Sequence, residues 1–125
     1  MKESGYIRVN YDFLPDQKAN YYEPISNQTL YLSKLQLTRA FEQINEKFYA
    51  DFYILFNEVL ALLGGRPQDI LNLGWSFENE AQNYSWSYFH PAWIRPQFYV
   101  EKETGKLQIL FEVDPEPIED LEFYH

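Results

Sequence analysis

The sequence predicts an α+β fold in which a small antiparallel sheet of about four or five strands packs on one long, broken helix and a short helix. Three observations support this prediction. A segment of alternating polarity opens the chain, a long run with helical spacing follows, and short alternating segments separated by glycine and proline fill the second half. Since 125 residues is the usual size of one domain, we expect a single domain over residues 1–125.

The first segment, residues 6–13, alternates strictly between two sets of side chains. This spacing predicts a half-buried strand whose inner side is formed by Ile7, Val9, Tyr11 and Phe13. Pro15 and Asp16 end the strand, and the polar stretch that continues through Asn27 predicts a surface loop.

The strongest local signal is at Ser33. Ser33 and Gln36 have the spacing of a capping box, so we expect a helix to begin there. Apolar residues at steps of three and four then continue to Gly64, which predicts a helix over residues 33–63. A second apolar stripe predicts that the C-terminal half of this helix is central either to the core or to an oligomer contact. That stripe consists of Tyr49, Tyr53, Phe56, Leu60 and Leu63.

The predicted helix is too long for the expected size of the domain. A straight helix over residues 33–63 would measure about 46 Å, whereas a compact chain of 125 residues is only about 35 Å across. We therefore expect the helix to kink or break near residues 45–51, although no proline or glycine marks the position. The alternative is a helix that projects and packs against another subunit.

The segment after the helix contains several short elements. A proline at the start and a glycine after the end predict a short helix over residues 67–73. Aromatic residues that alternate with other side chains then predict two antiparallel strands, one at residues 75–77 and one at residues 84–89.

The end of the chain predicts a hairpin followed by an acidic tail. Residues 98–102 and 106–113 flank a short loop in which Gly105 can adopt the left-handed conformation. The sequence Asp-Pro-Glu-Pro after this hairpin ends the predicted sheet, and the acidic tail covers residues 114–125. Its last eight residues form either a short docked helix or a loose arm.

The composition argues against several classes of function. The chain contains no cysteine, so it has no disulfide, thiolate nucleophile or sulfur-ligated metal. No apolar run approaches the roughly 20 residues that cross a bilayer, and residues 1–5 lack the apolar core of a signal peptide. We expect a cytoplasmic protein that does not bind a membrane. The net charge of −9 and the scattered Lys and Arg residues argue against direct binding to nucleic acid.

Catalytic and metal-binding patterns are sparse. The imidazoles are His90 and the terminal His125, and no nucleophile-elbow glycines surround the serines near His90. Glu78, Glu80 and His90 do not match a known spacing of metal ligands. Pairs of carboxylates are expected by chance among 19 acids. We therefore predict a protein that is not an enzyme and that carries no cofactor and no metal.

Two features remain that indicate recognition of another protein. The first is the concentration of rings between Trp75 and Tyr99, since a small sheet with one face covered cannot bury all of them. Tyr and Trp are enriched at interface hot spots, and we predict that Trp86, Tyr88 and Trp93 bind a partner. The alternative is that these rings only form the core of a ring-rich domain.

The second feature is the acidic end of the chain, where residues 107–125 contain no Lys or Arg. We predict that its carboxylates bind a basic partner, because a negative surface speeds association with positively charged proteins. The alternative is a charge that only maintains solubility. The predicted binding residues are Glu112, Asp114, Glu116, Glu119, Asp120 and Glu122.

These features together predict an inhibitor that binds a basic protein, above all a nucleic-acid-processing enzyme whose phosphate-binding groove an acidic surface can occupy. Phage inhibitors of defence nucleases, such as anti-CRISPR proteins, and immunity proteins against nuclease toxins are of this small, acidic type. The alternative is a structural or accessory subunit that forms a homodimer or joins a larger assembly through the second stripe, at Tyr49, Tyr53, Phe56 and Leu60.

Overall fold

The computed structural model describes residues 5–78 and 94–119. These residues form an α+β fold with two helices, a mixed sheet of five strands and a second sheet of three strands. The elements in chain order are β1 (Tyr6–Val9), a 3-10 turn (Tyr11–Phe13), β2 (Ala19–Glu23), β3 (Gln28–Leu32), α1 (Lys34–Asp51), β4 (Tyr53–Leu55), α2 (Phe56–Leu62), β5 (Leu73–Ser76), β6 (Pro96–Glu101), β7 (Leu107–Phe111) and β8 (Glu116–Pro117).

The larger sheet has the strand order β1-β6-β7-β2-β3. All its neighbouring pairs are antiparallel except β2 and β7, which run parallel, so the predicted antiparallel sheet is present with one parallel pair and is mixed. The smaller sheet has the order β4-β5-β8 and is antiparallel. The predicted strand over residues 84–89 lies outside the described residues.

The first predicted strand is shorter and more exposed than expected. β1 ends at Val9, after which Asn10 caps a 3-10 turn by accepting a hydrogen bond from the Asp12 N–H at 2.9 Å. Ile7 is 50% exposed and Phe13 is 82% exposed, so neither belongs to the predicted buried side. The physical reason is position, because β1 is an edge strand and the turn carries Phe13 away from the sheet.

The predicted surface loop before the helix contains a β-hairpin instead, formed by β2 and β3. The buried Glu23 carboxylate holds the turn by accepting hydrogen bonds from the Ile25 N–H at 2.8 Å and from the Ser26 N–H at 2.7 Å. Asn27 adopts the left-handed conformation, with φ of 54°. Such hydrogen bonds between a side chain and nearby backbone groups are common in tight turns. The turn is therefore ordered although the sequence of this segment is polar.

The helix start at Ser33 is confirmed. The Ser33 side chain accepts from the Gln36 N–H at 3.1 Å, while the Gln36 side chain accepts from the Ser33 N–H at 2.9 Å. The predicted break is confirmed as well, since α1 ends at Asp51 and Phe52 adopts a left-handed conformation with φ of 64°. β4 separates α1 from α2 because its residues pair with β5.

The short helix predicted over residues 67–73 does not form. The second helix is α2, the continuation of the broken helix, and it is followed by Gly64, whose φ is 81°. The Asn57 side chain binds both backbone groups of Gln68, at 2.7 and 3.1 Å, which holds that segment without helical hydrogen bonds. Gly74 allows β4 and β5 to pair closely, because a β-carbon at this position would lie 2.3 Å from the Ile54 carbonyl oxygen.

The two helices pack on one face of the larger sheet around aromatic residues. Phe41 of α1 and Phe56 of α2 both contact Phe111 of β7, at ring-centre distances of 6.3 and 5.9 Å. Trp75 of β5 completes this cluster, 5.2 Å from Phe111, and is fully buried. The predicted hairpin of β6 and β7 is present, with Gly105 at φ of 73°.

Candidate functional site

The acidic residues after β7 lie on a segment that is fixed to the rest of the protein. The Glu112 N–H donates to the Arg95 carbonyl at 2.9 Å, and the Val113 carbonyl accepts from the Trp75 indole at 2.7 Å. The Ile118 N–H donates to the Asn72 carbonyl at 2.7 Å. The prediction that the sheet ends at residue 114 was therefore wrong, because the chain continues into β8, which pairs with β5.

Along this segment, the apolar side chains and the carboxylates differ in burial. Pro115 and Ile118 are buried, and Val113 is half-buried. The carboxylates take the other positions, and we refer to them as the acidic strip: Glu112, Asp114 and Glu119, which are exposed, and Glu116, which is half-buried. Apolar residues thus hold the backbone while charged groups remain in contact with solvent.

The ion pairs found within residues 5–78 and 94–119 do not involve Glu112, Glu116 or Glu119. One joins Lys47 to Glu58 at 2.7 Å, and the other joins Lys34 to Asp16 at 4.0 Å. The hydrogen bond that Lys47 donates to the Glu58 carboxylate, together with the negative charge of that carboxylate, raises the pKa of Lys47. In the part of the chain that the structure describes, Glu112, Glu116 and Glu119 therefore form no ion pair, although the backbone of Glu112 is hydrogen-bonded to that of Arg95.

The remaining predicted binding residues are not located by the structure. Five of them lie outside the described residues: Trp86, Tyr88, Trp93, Asp120 and Glu122. The same is true of Glu80 and His90, which were considered as metal ligands together with Glu78. The acidic strip brings together the other four predicted residues.

The described members of the ring-rich segment belong mostly to the core. Trp75 and Phe98 are buried, and Phe77 stacks on Phe48 with ring centres 4.5 Å apart. Tyr99 is half-buried on the opposite side of β6 from Phe98. The rings with the highest exposure among the described residues lie elsewhere in the chain, at Phe13, Phe52 and Tyr31.

The second helical stripe is largely internal. Phe56, Leu60 and Leu63 are each at most 1% exposed and belong to the core cluster. Tyr49 and Tyr53 are half-buried. Most of the surface proposed for an oligomer contact is therefore already packed within the chain.

A groove that the sequence did not indicate lies between β1, α1 and the start of β6. Its volume is about 860 Å³, within the range of about 300–1,000 Å³ that is typical of ligand sites. No local pattern could have revealed it, because its walls come from three distant segments. The lining residues used below are Arg8, Leu37, Phe41, Glu42, Arg95 and Phe98.

Asn45 connects two of these walls. Its side-chain amide donates to the Ile94 carbonyl at 3.0 Å and to the Phe41 carbonyl at 2.8 Å, while its oxygen accepts from the Ile94 N–H at 2.7 Å. Because all three groups are buried, this contact fixes the segment that leads into β6 against α1.

Comparisons of the chain with protein-family models, curated proteins and solved structures find no match. Among the described residues, neither helix has the length and apolar character needed to cross a bilayer. The same residues contain no group of three or more His, Asp or Glu side chains that could hold a metal ion.

Proposed function

We propose that this protein is a non-enzymatic inhibitor that acts in the cytoplasm and uses the acidic strip to bind a basic protein. The preferred target is a nucleic-acid-processing enzyme, as for anti-CRISPR proteins or immunity proteins against nuclease toxins. The observation that carries this proposal is the fixed backbone of the strip, whose carboxylates face solvent while Pro115 and Ile118 anchor it.

The fixed backbone supports binding because it lowers the entropy lost on association. A flexible acidic tail would have to be ordered when it binds, whereas the strip is held by hydrogen bonds to Arg95, Trp75 and Asn72. The strip therefore presents its carboxylates in a fixed arrangement to a positively charged groove.

The net charge of the whole chain acts in the same direction. At −9, it attracts basic proteins over a distance of about 8–10 Å at moderate salt and so increases the rate of encounter. Contact would then depend on the strip for orientation. Trp86, Tyr88 and Trp93 remain the proposed ring anchors, and Asp120 and Glu122 the proposed extension of the acidic surface.

Affinity capture from the native host tests this proposal. The wild-type protein should retain basic nucleic-acid enzymes at low salt and lose them at high salt, and it should inhibit the enzyme that it captures. Reversal of three charges in the strip, Glu112→Lys, Glu116→Lys and Glu119→Lys, should abolish both effects, because the partner then meets like charges.

A matched variant separates the strip from total charge. Glu46→Lys, Asp69→Lys and Glu103→Lys change the net charge by the same amount at three exposed positions elsewhere. We expect this control to bind more slowly but to inhibit fully. If both triple variants lose inhibition equally, the strip has no special role; if neither does, the proposal is wrong. Trp86→Ala or Tyr88→Ala should mainly speed dissociation.

A further inference from the structure

β1 is an edge strand of the larger sheet and lies beside the groove. Within the described part of the chain, β1 pairs with β6 alone, so the backbone groups along its other edge are not used in the sheet. The side chains of β1 are accessible as well, since Tyr6 is 38% exposed and Ile7 is 50% exposed. An uncovered edge of this kind can pair with a strand from another chain.

The groove next to this edge has an apolar floor. Leu37 and Phe41 contribute from α1 and Phe98 from β6, and all three are at most 8% exposed. A strand added to β1 would direct alternate side chains toward this floor and the others toward solvent. An apolar side chain of that strand could therefore fill the groove while its backbone pairs with β1.

The rim of the groove carries a charge opposite to that of the protein as a whole. Arg8 and Arg95 both line it and are exposed, and neither has an ion-pair partner among the residues that the structure describes. The one acid in the lining is Glu42. Two unpaired guanidinium groups at one groove favour a negatively charged occupant, because arginine binds carboxylates with two parallel hydrogen bonds.

We propose that β1 and the groove bind an extended segment of a second protein in which apolar and acidic residues alternate. The segment adds a strand to the edge of β1, its apolar side chains enter the groove over Leu37, Phe41 and Phe98, and its carboxylates bind Arg8 and Arg95. The charge of the rim favours this occupant over a second copy of the chain, whose own β1 carries Arg8. This site adjoins the acidic strip at Arg95, whose carbonyl accepts from the Glu112 N–H. It binds an acidic segment, whereas the strip binds a basic protein.

Selection from a displayed library of random peptides tests the proposal, with peptides of about nine residues, enough to span a strand. The full-length protein should enrich peptides in which Asp or Glu alternates with large apolar residues. For a synthetic copy of an enriched peptide, Arg8→Glu and Arg95→Glu should each raise the Kd about tenfold or more. Arg39→Glu, at an exposed position of α1 that does not line the groove, should leave the Kd close to that of the wild type.

A pair of tryptophan substitutions tests the groove itself. Glu42→Trp places a ring at the rim and should abolish peptide binding, even though it removes the one unfavourable charge. Glu46→Trp, one turn further along α1 and outside the lining, should bind normally. Circular dichroism on each variant checks that the fold is retained.

Several outcomes would overturn the inference. They are a selection that enriches no peptide or enriches basic ones, and enriched peptides that bind the Arg8→Glu or Glu42→Trp variants as tightly as the wild type. Enrichment of sequences like residues 6–9, together with a dimer in sedimentation that Ile7→Lys dissociates, would identify a second copy of the chain as the occupant instead.

Discussion

Replacement of Asn45 by alanine is the most informative test of the packing that forms the groove. The Asn45 side chain makes three hydrogen bonds of 2.7–3.0 Å, two of them to the backbone of Ile94. Asn45 is 4% exposed and Ile94 is 2% exposed, so water cannot readily replace the lost partner. Asn45→Ala therefore leaves one buried N–H and one buried carbonyl of Ile94 without the bonds that they make in the native structure.

The expected loss of stability follows from these two groups. Each buried polar group that loses its partner costs about 1–3 kcal/mol, so we expect Asn45→Ala to lower the free energy of unfolding by about 2–6 kcal/mol. Urea denaturation followed by circular dichroism measures this change. Glu46→Ala is the control, because its side chain is exposed and its replacement should change stability by less than about 0.5 kcal/mol.

The same substitution reports on the groove. Loss of the bonds to Ile94 should release the segment that leads into β6 and so weaken peptide binding at the site beside β1. A loss of stability below about 1 kcal/mol for Asn45→Ala would refute the view that this side chain holds the two walls together.

Two further predictions concern the core. Gly74→Ala should destabilise the protein by at least about 1–3 kcal/mol in thermal or urea unfolding, because the added carbon would meet the Ile54 carbonyl oxygen at 2.3 Å; stability equal to that of the wild type would contradict the close pairing of β4 and β5. The Tyr21 hydroxyl is buried and has no hydrogen-bond partner among the described residues, so Tyr21→Phe should leave stability at pH 7 unchanged or raise it by up to about 2 kcal/mol. Burial, together with the neighbouring Tyr11, raises the pKa of Tyr21 above 10.0, so the Tyr21 hydroxyl ionises less readily in the folded state than in the unfolded state. This ionisation does not affect stability below pH 10.0, and it lowers stability as the pH rises through the folded-state pKa. Denaturation curves between neutral and alkaline pH should therefore fall less steeply for Tyr21→Phe, and an equal fall would contradict this explanation.

The parts of the fold that depend on neighbouring residues could be predicted from the sequence. The capping box at Ser33 involves side chains only three positions apart, and the turn at Gly105 needs one left-handed residue. The break in the helix followed from the size of the chain, but its position at Phe52 did not. A left-handed Phe is uncommon, and the pairing of β4 with β5 determines where the helix ends.

The errors have a common cause in contacts between distant segments. The β2–β3 hairpin looked like a polar loop because Glu23 and Gln28 are buried polar residues, and Gln28 binds the backbone of Arg66, 38 positions away. The short helix over residues 67–73 failed because Asn57 binds the backbone of Gln68. Neither partner can be identified from local spacing.

The candidate sites divide in the same way. The alternation of acids with Val113 and Pro115 is visible in the sequence and agrees with the outward position of the acidic strip. That Trp75 and Asn72 fix this segment is visible only in the structure. The groove depends entirely on tertiary packing, since Arg8 and Arg95 are far apart in the chain and both line it.

The most direct test of the proposed function is the rate at which the protein associates with a captured basic enzyme, measured by stopped flow over a series of salt concentrations. The acidic strip predicts a fast association that slows steeply with salt, and a much slower, nearly salt-independent association for the variant with Glu112, Glu116 and Glu119 changed to lysine. Equal rates and equal salt dependence for the two proteins would contradict a role of the strip in binding.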